Sequence, residues 1–179
     1  MFLQLNARPK ITHADLQDQE IVEERGGMGH SIYLQKLQRC SVTITSKVNR
    51  LVVEHCVDCT VVFRNLISGL EVVHSQGIVL KDVGQQPAPT VQTDMSSGCH
   101  FVWQPSSLHE TKFVFAAVSD TTFSEFDNAE DPLSPFHTCF RPENVGDDQH
   151  QVIISAGPER QLSYARTSDL KAHIYTLLN

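Results

Sequence analysis

Basic charge is scarce in this chain of 179 residues: 14 Lys and Arg stand against 21 Asp and Glu, a formal net charge of −7. Nucleic acid and anionic membranes both call for a basic face, so neither is an expected partner. No apolar run approaches the ~20 residues that a membrane-spanning helix needs. Met1–Lys10 has no continuous apolar stretch and no small-residue cleavage site, so no signal peptide is expected. The five Cys are an odd number, which fits reduced thiols in the cytoplasm better than a disulfide framework. The patterns G-x4-G-K-[ST], G-x-G-x-x-G and H-E-x-x-H, which would mark phosphate, dinucleotide or zinc chemistry, are all missing. Enzyme chemistry has no foothold, and no cofactor is expected.

Helical spacing is missing from the middle of the chain as well, and a short repeat stands in its place. Residues 50–68 and 69–87 read as two copies of one unit. At a shift of 19, Leu51 falls on Leu70, Val53 on Val72, His55 on His74, Cys59 on Ile78 and Val61 on Leu80. Run backwards, the same frame sets Cys40, Val42 and Ile44 opposite Cys59, Val61 and Phe63. A fixed short period filled with β-branched residues is the signature of a coil repeating along an axis. Each period holds two short strands, such as Arg50–Glu54 and Thr60–Phe63, each followed by a polar or glycine turn. Stacked coils bury equivalent side chains in ladders, so the fold class is all-β, a parallel β-helix.

The strand pattern runs from Ile32 to about Val118, with Lys112–Val118 as the last coil strand. Alternation turns Cys40, Val42, Ile44, Leu51, Val53, Cys59, Val61, Phe63, Leu70, Val72, Ile78 and Leu80 inward. It turns Thr43, Thr45, Val62, Arg64, Val79 and Lys81 outward. Ahead of the strands, Thr12–Asp15 reads as the opening of a short helix, broken by Arg25–Gly29. Behind them, Ser124–Asp131 reads as an acidic loop and Gln151–Ser155 as a strand isolated from the stack. Thr167-Ser168-Asp169 before Leu170, Ile174, Leu177 and Leu178 suggests a short amphipathic helix.

Two groupings invite chemistry. Cys56-Val57-Asp58-Cys59, with His55 beside it, is a C-x2-C pair, but a structural zinc needs four ligands and no second pair follows at the usual spacing. Cys59 occupies an inward position equivalent to Cys40 and Ile78, so core packing is its simpler role and no metal is expected. Cys99 and His100 are adjacent on a strand and point to opposite faces, which opposes a nucleophile–base hydrogen bond. What remains is a ladder of outward polar side chains: Lys47, Asn49, Arg50, Glu54, Arg64, Glu71 and Lys81. A repetitive face of this kind suits gripping another protein over a broad area.

Several segments, in order, match a known pattern. Ser46-Lys47-Val48-Asn49 precedes a strand and Val53-Glu54-His55-Cys56 ends one. Val61-Val62-Phe63 and Gly69-Leu70-Glu71-Val72-Val73-His74-Ser75 follow. Ser97-Gly98-Cys99-His100 then leads an aromatic-rich strand, with Gln104–Leu108 and Pro132–Phe136 beyond it. Over residues 30–157 these segments resemble the C-terminal domain of the adenylyl-cyclase-associated proteins, the actin-monomer-binding module built from CARP repeats. The resemblance implies a right-handed parallel β-helix that dimerises by exchanging a C-terminal strand hairpin. Residues 1–29 become an N-terminal arm, 30–157 the β-helix domain and 158–179 a C-terminal extension. Gln151, Val152, Ile153, Ile154 and Ser155 fall in the exchanged, dimer-forming part.

The family's domain binds actin monomers, prefers their ADP form and helps recharge them with ATP. The resemblance therefore implies a non-enzymatic, cytoplasmic, cytoskeleton-associated regulator of filament turnover, with the seven outward residues as its actin-binding face. There are departures: the family's D-G-C-H step reads Ser97-Gly98-Cys99-His100 here. The long N-terminal helical domain, proline-rich linker and short actin-binding motif have no counterpart, a pattern similar to compact protozoan forms. The sister family, the tubulin-folding cofactor C domain, stimulates GTP hydrolysis with an arginine finger. Phe63-Arg64-Asn65-Leu66 does not resemble its Q-x-R motif. A non-actin scaffold is a further alternative. A polysaccharide-processing β-helix would need a stacked acidic pair, and Glu54 and Glu71 are out of register.

Overall fold

Segments that alternate apolar and polar residues have one face to bury and a row of backbone groups to pair, and stacking along an axis satisfies both demands. The computed structural model describes residues 9–104, 110–126, 136–140, 150–154 and 162–166. The parallel stack is built from β1 (Lys10–Ala14), β2 (Glu20–Glu23), β3 (Ser31–Gln35), β4 (Ser41–Ile44), β5 (Val48–Glu54) and β6 (Thr60–Phe63). It continues through β7 (Leu66–Val73), β8 (Val79–Asp82), β9 (Thr90–Asp94), β10 (His100–Trp103), β11 (Lys112–Ala116) and β12 (Thr122–Phe126). Odd strands form one sheet and even strands the other, so the chain winds as a parallel β-solenoid. Three antiparallel strands follow: β13 (Phe136–Phe140) on β12, β14 (His150–Ile154) on β11, and β15 (Leu162–Arg166) on β14.

Inside, Ile11, Ile32, Leu51, Leu70, Val91 and Phe113 stand one above another in the first sheet. Ile21, Val42, Val61, Leu80, Phe101 and Phe123 do the same in the second. All twelve inward residues read from the sequence are buried. The core changes character along its axis. Its C-terminal end is aromatic, with Phe113 edge-on to Phe123 at 4.8 Å and Trp103 Nε1 donating to Thr111 Oγ1 at 3.0 Å. Its N-terminal end is polar: the buried Glu23 carboxylate accepts from Arg25 Nη2 at 2.7 Å and hydrogen-bonds His13 Nε2 at 2.8 Å.

The corner between odd and even strands repeats with equal regularity. Each coil sets two left-handed residues there, such as Lys36 and Arg39, His55 and Asp58, or His74 and Gly77. Left-handed backbone is unfavourable for a residue with a Cβ, by about 1 kcal/mol. The amides of these residues recover that loss by donating to the next coil, as in Lys36 N to Glu54 O at 2.9 Å and Asp58 N to Gln76 O at 2.9 Å. Between each pair one residue points inward. Where it is Ser75 or Ser96, its hydroxyl accepts the amide of the coil before, Cys56 or Ser75, at 3.1 Å.

The structure corrects several expectations. Residues 10–23 form a full coil, because Ile11 and His13 stack on Ile32 and Leu34; Thr12–Ala14 is strand and Asp15 a left-handed turn, not a helix. Long-range pairing overrides the local propensity. β12 adds a parallel strand after β11 and takes in Ser124–Phe126 from the supposed acidic loop. Gln151–Ile154 lies in β14, hydrogen-bonded to β11, and is not isolated; Ser155 is outside the described residues. The stretch read as an extension contributes β15, and the helix expected from Thr167 onward lies outside the described residues. The period of 19 holds from Ile32 to Leu70 and lengthens to 21 before Val91, where the loop carrying Pro87 and Pro89 intervenes.

Candidate functional site

The regular register decides which outward side chains share a face. On the first sheet, Lys10, Ser31, Arg50 and Gly69 form one outward ladder and Thr12, Tyr33, Val52, Glu71 and Gln92 the next. Gln35, Glu54, Val73 and Asp94 form a third. Arg50 pairs with Glu71 across one strand step, and Gln35 Nε2 donates to Glu54 Oε2 at 2.8 Å. Lys10 Nζ sits 3.9 Å above the Tyr33 ring. At Gly69, with φ of +138°, a Cβ would lie 2.3 Å from the Thr90 carbonyl oxygen, so the backbone closes up beside Arg50 only because the side chain is missing.

The seven candidate residues divide among four settings. Arg50, Glu54 and Glu71 share the first sheet's outer face. Lys47 and Arg64 are exposed in the links that lead from even strands to odd ones. Lys81 is half-buried on the outer face of the second sheet. Asn49 lines a cleft on the first sheet's outer face but is shielded there: it is 6% exposed, and its Oδ1 accepts a hydrogen bond from Ser68 Oγ at 2.8 Å. It lies at the register irregularity between Val48 and Arg50. Alternation counted from the inward Leu51 assigns Arg50, and not Asn49, to the outer ladder, so the residue pattern already set Asn49 apart.

The other chemistry-bearing groups serve the fold. Cys40, Cys56, Cys59 and Cys99 are buried free thiols. Hydrogen bonding to Cys59, then burial, pushes the Cys56 thiol up, and burial pushes Cys99 up to about 12. Neither is a nucleophile at neutral pH. His55 and His74 stack ring on ring at 5.0 Å because the corner repeats. His100 hydrogen-bonds Ser124 Oγ at 2.6 Å, away from Cys99, and burial, then Lys81, holds its pKa down. Asp82 is buried, its oxygens accepting from Gly84 N at 3.0 Å and Ala88 N at 2.9 Å, and burial raises it to about 6. Among the described residues no group of three or more His, Cys, Asp or Glu is arranged to hold a metal. No described helix is long and apolar enough to cross a membrane.

The family model described as adenylate cyclase associated (CAP) C terminal matches residues 4–133. The chain belongs to this family. Adenylyl cyclase-associated protein from Dictyostelium discoideum is 30% identical over 105 residues, 59% of this chain and 22% of that protein. Adenylyl cyclase-associated protein 2 from Homo sapiens is 29% identical over 76 residues, 42% of this chain and 16% of that protein. Cyclase-associated protein 1 from Arabidopsis thaliana is 29% identical over 90 residues, or 50% and 18%. The alignments therefore span about a fifth of the length of these relatives. Cyclase-associated protein from Cryptosporidium parvum superposes with a TM-score of 0.58 at 16% identity, covering 90% of this chain and 85% of that one. That likeness shows the shared fold. The CAP C-terminal match begins at residue 4 and so takes in β1 and β2, the coil that lies within the stretch expected to be an N-terminal arm.

Proposed function

We propose that this chain binds actin monomers, prefers those carrying ADP, and promotes their exchange of ADP for ATP, so regulating filament turnover in the cytoplasm. Membership of the CAP C-terminal family across residues 4–133 carries the reading. The solenoid supports it with a long outer face in which Arg50, Glu54 and Glu71 are flanked by exposed Lys47 and Arg64. No covalent step is needed. A binder that prefers the nucleotide-releasing conformation of actin shifts actin's population by its differential affinity alone, about tenfold for each 1.4 kcal/mol. Lys81, on the opposite sheet, falls outside a contact centred on the first.

Dimerisation by exchange of the C-terminal hairpin forms part of the proposal. β14 pairs antiparallel with β11 of its own chain, and in the exchanged dimer the partner's equivalent strand takes that place. Reversing charge at Lys47 and Arg50 is expected to weaken binding to ADP-actin monomers by at least tenfold while the thermal unfolding midpoint holds. Unchanged affinity in a folded variant would remove this face from the contact. Deleting the chain from Gln151 onward should give a monomer by light scattering; a persistent dimer rules out exchange.

A further inference from the structure

We propose that the cleft over Ser31, between Lys10 and Arg50, seats a carboxylate from an acidic segment of a protein partner. The proposal deepens the actin-binding reading, and rests on it only for the partner's name. The cleft, about 300 Å³, is lined by Lys10, Ser31, Tyr33, Asn49, Arg50 and Ser68. Lys10 and Arg50 flank Ser31 on successive strands, which sets their backbones about 10 Å apart. That gap leaves room for one carboxylate between an ammonium and a guanidinium. The Tyr33 ring holds the Lys10 ammonium at the rim. Arg50 uses one Nη on Glu71, while its Nε is buried with no hydrogen-bond partner. A buried donor left unpaired is a site that gains from an incoming oxygen.

Charge is segregated around this cleft. Lys10, Arg50 and Lys112 sit in the first outward ladder of the first sheet, and Lys47 and Arg64 in the links beside it; among the described residues the acids on that edge are the exposed Glu24 and Glu110 and the Glu71 paired with Arg50. Asp15, Asp18, Asp58 and Asp120 gather at the opposite corner, with Lys36 and Arg39. An acidic protein segment meets the basic edge without approaching the acidic corner. A long polyanion such as nucleic acid meets a chain whose net charge is −7.

Acetylated hexaglutamate is the probe, titrated into the full chain and followed by amide chemical shifts, with inorganic phosphate in a parallel arm. Shifts are expected at Ser31, Tyr33 and Arg50, fading with added salt. Lys10→Ala and Arg50→Ala should each weaken the peptide about tenfold, the scale of one charge-assisted hydrogen bond. Glu71→Gln should strengthen it, because it releases the Arg50 fork; a merely structural role predicts no gain. Peptide shifts elsewhere, or variants that leave affinity unchanged, overturn the proposal. Phosphate binding without peptide binding also overturns it, leaving an anion site. Actin monomers are titrated with the same variants. Peptide bound in the cleft with no actin binding defeats the actin reading alone. Actin bound equally by wild type and Lys10→Ala, with the peptide silent, defeats the cleft alone.

Discussion

Glu23→Gln tests how the buried polar group in the first coil of the solenoid holds the fold together. Glu23 is 1% exposed and accepts from Arg25 N at 2.8 Å, Nε at 3.0 Å and Nη2 at 2.7 Å, as well as hydrogen-bonding His13. The Arg25 hydrogen bonds, against the opposing effect of burial, bring its pKa from 4.5 to about 2. A depressed carboxylate stabilises the fold fully above its unfolded pKa and loses that contribution as pH falls through its folded one. The shift corresponds to ~3 kcal/mol, present above about pH 5 and lost between pH 4.5 and 2. Gln has no charge to lose and turns an NH2 toward Arg25 or His13. The variant should therefore be ~2–3 kcal/mol less stable at pH 7, and the gap should close as pH falls. Urea unfolding followed by the fluorescence of Trp103, the one Trp and fully buried, measures both arms. A gap independent of pH, or no gap at pH 7, would falsify the ion-pair role.

Thr93→Val should raise stability by ~1 kcal/mol, read as a higher urea midpoint at unchanged slope, because Thr93 Oγ1 is buried in the core with no partner; a loss of stability would point to a bond to that hydroxyl. Gly77→Ala should cost ~1–2 kcal/mol in the same assay, since φ is +65° and the new Cβ would lie 2.4 Å from Asp58 Oδ1. Part of that loss should return in an Asp58→Ala background, and no return would make the cost purely one of backbone strain. Asp82→Ala should lower the melting temperature by several degrees by orphaning the Gly84 and Ala88 amides. Its raised pKa makes Asp82's contribution greatest below pH 4 and diminished as pH rises through about 6, so Asp82→Asn should flatten that slope.

The interior was legible from the sequence because a ladder imposes one residue type on every coil: Leu51 over Leu70 and Val61 over Leu80 are visible without coordinates. The first coil was not, since its equivalents include His13 and Glu23, polar residues at positions that are apolar in the later coils. The corner was half visible. His55 and His74 recur, but nothing in residues such as Lys36, Arg39 and Met95 announces left-handed backbone; the hydrogen bonds of the neighbouring coil impose it. At the candidate site, alternation placed Arg50, Glu54 and Glu71 on the outside; counted from Leu51 it leaves Asn49 out of that ladder, and Asn49 is indeed shielded, beside a register irregularity that residue types do not encode. The cleft beside Arg50 depends on which residues stack across strands 19 to 21 positions apart, as with Lys10, Ser31 and Arg50. The repeat legible from Ile32 onward does not extend back to Lys10.

Exchange of a fluorescent ATP analogue into ADP-actin monomers, with and without the purified chain, tests the proposed function most directly. The account predicts faster exchange that saturates with added protein and falls back when Lys47 and Arg50 are reversed in charge. No acceleration together with no binding would contradict it, and would move attention to small GTPases as partners of the same solenoid.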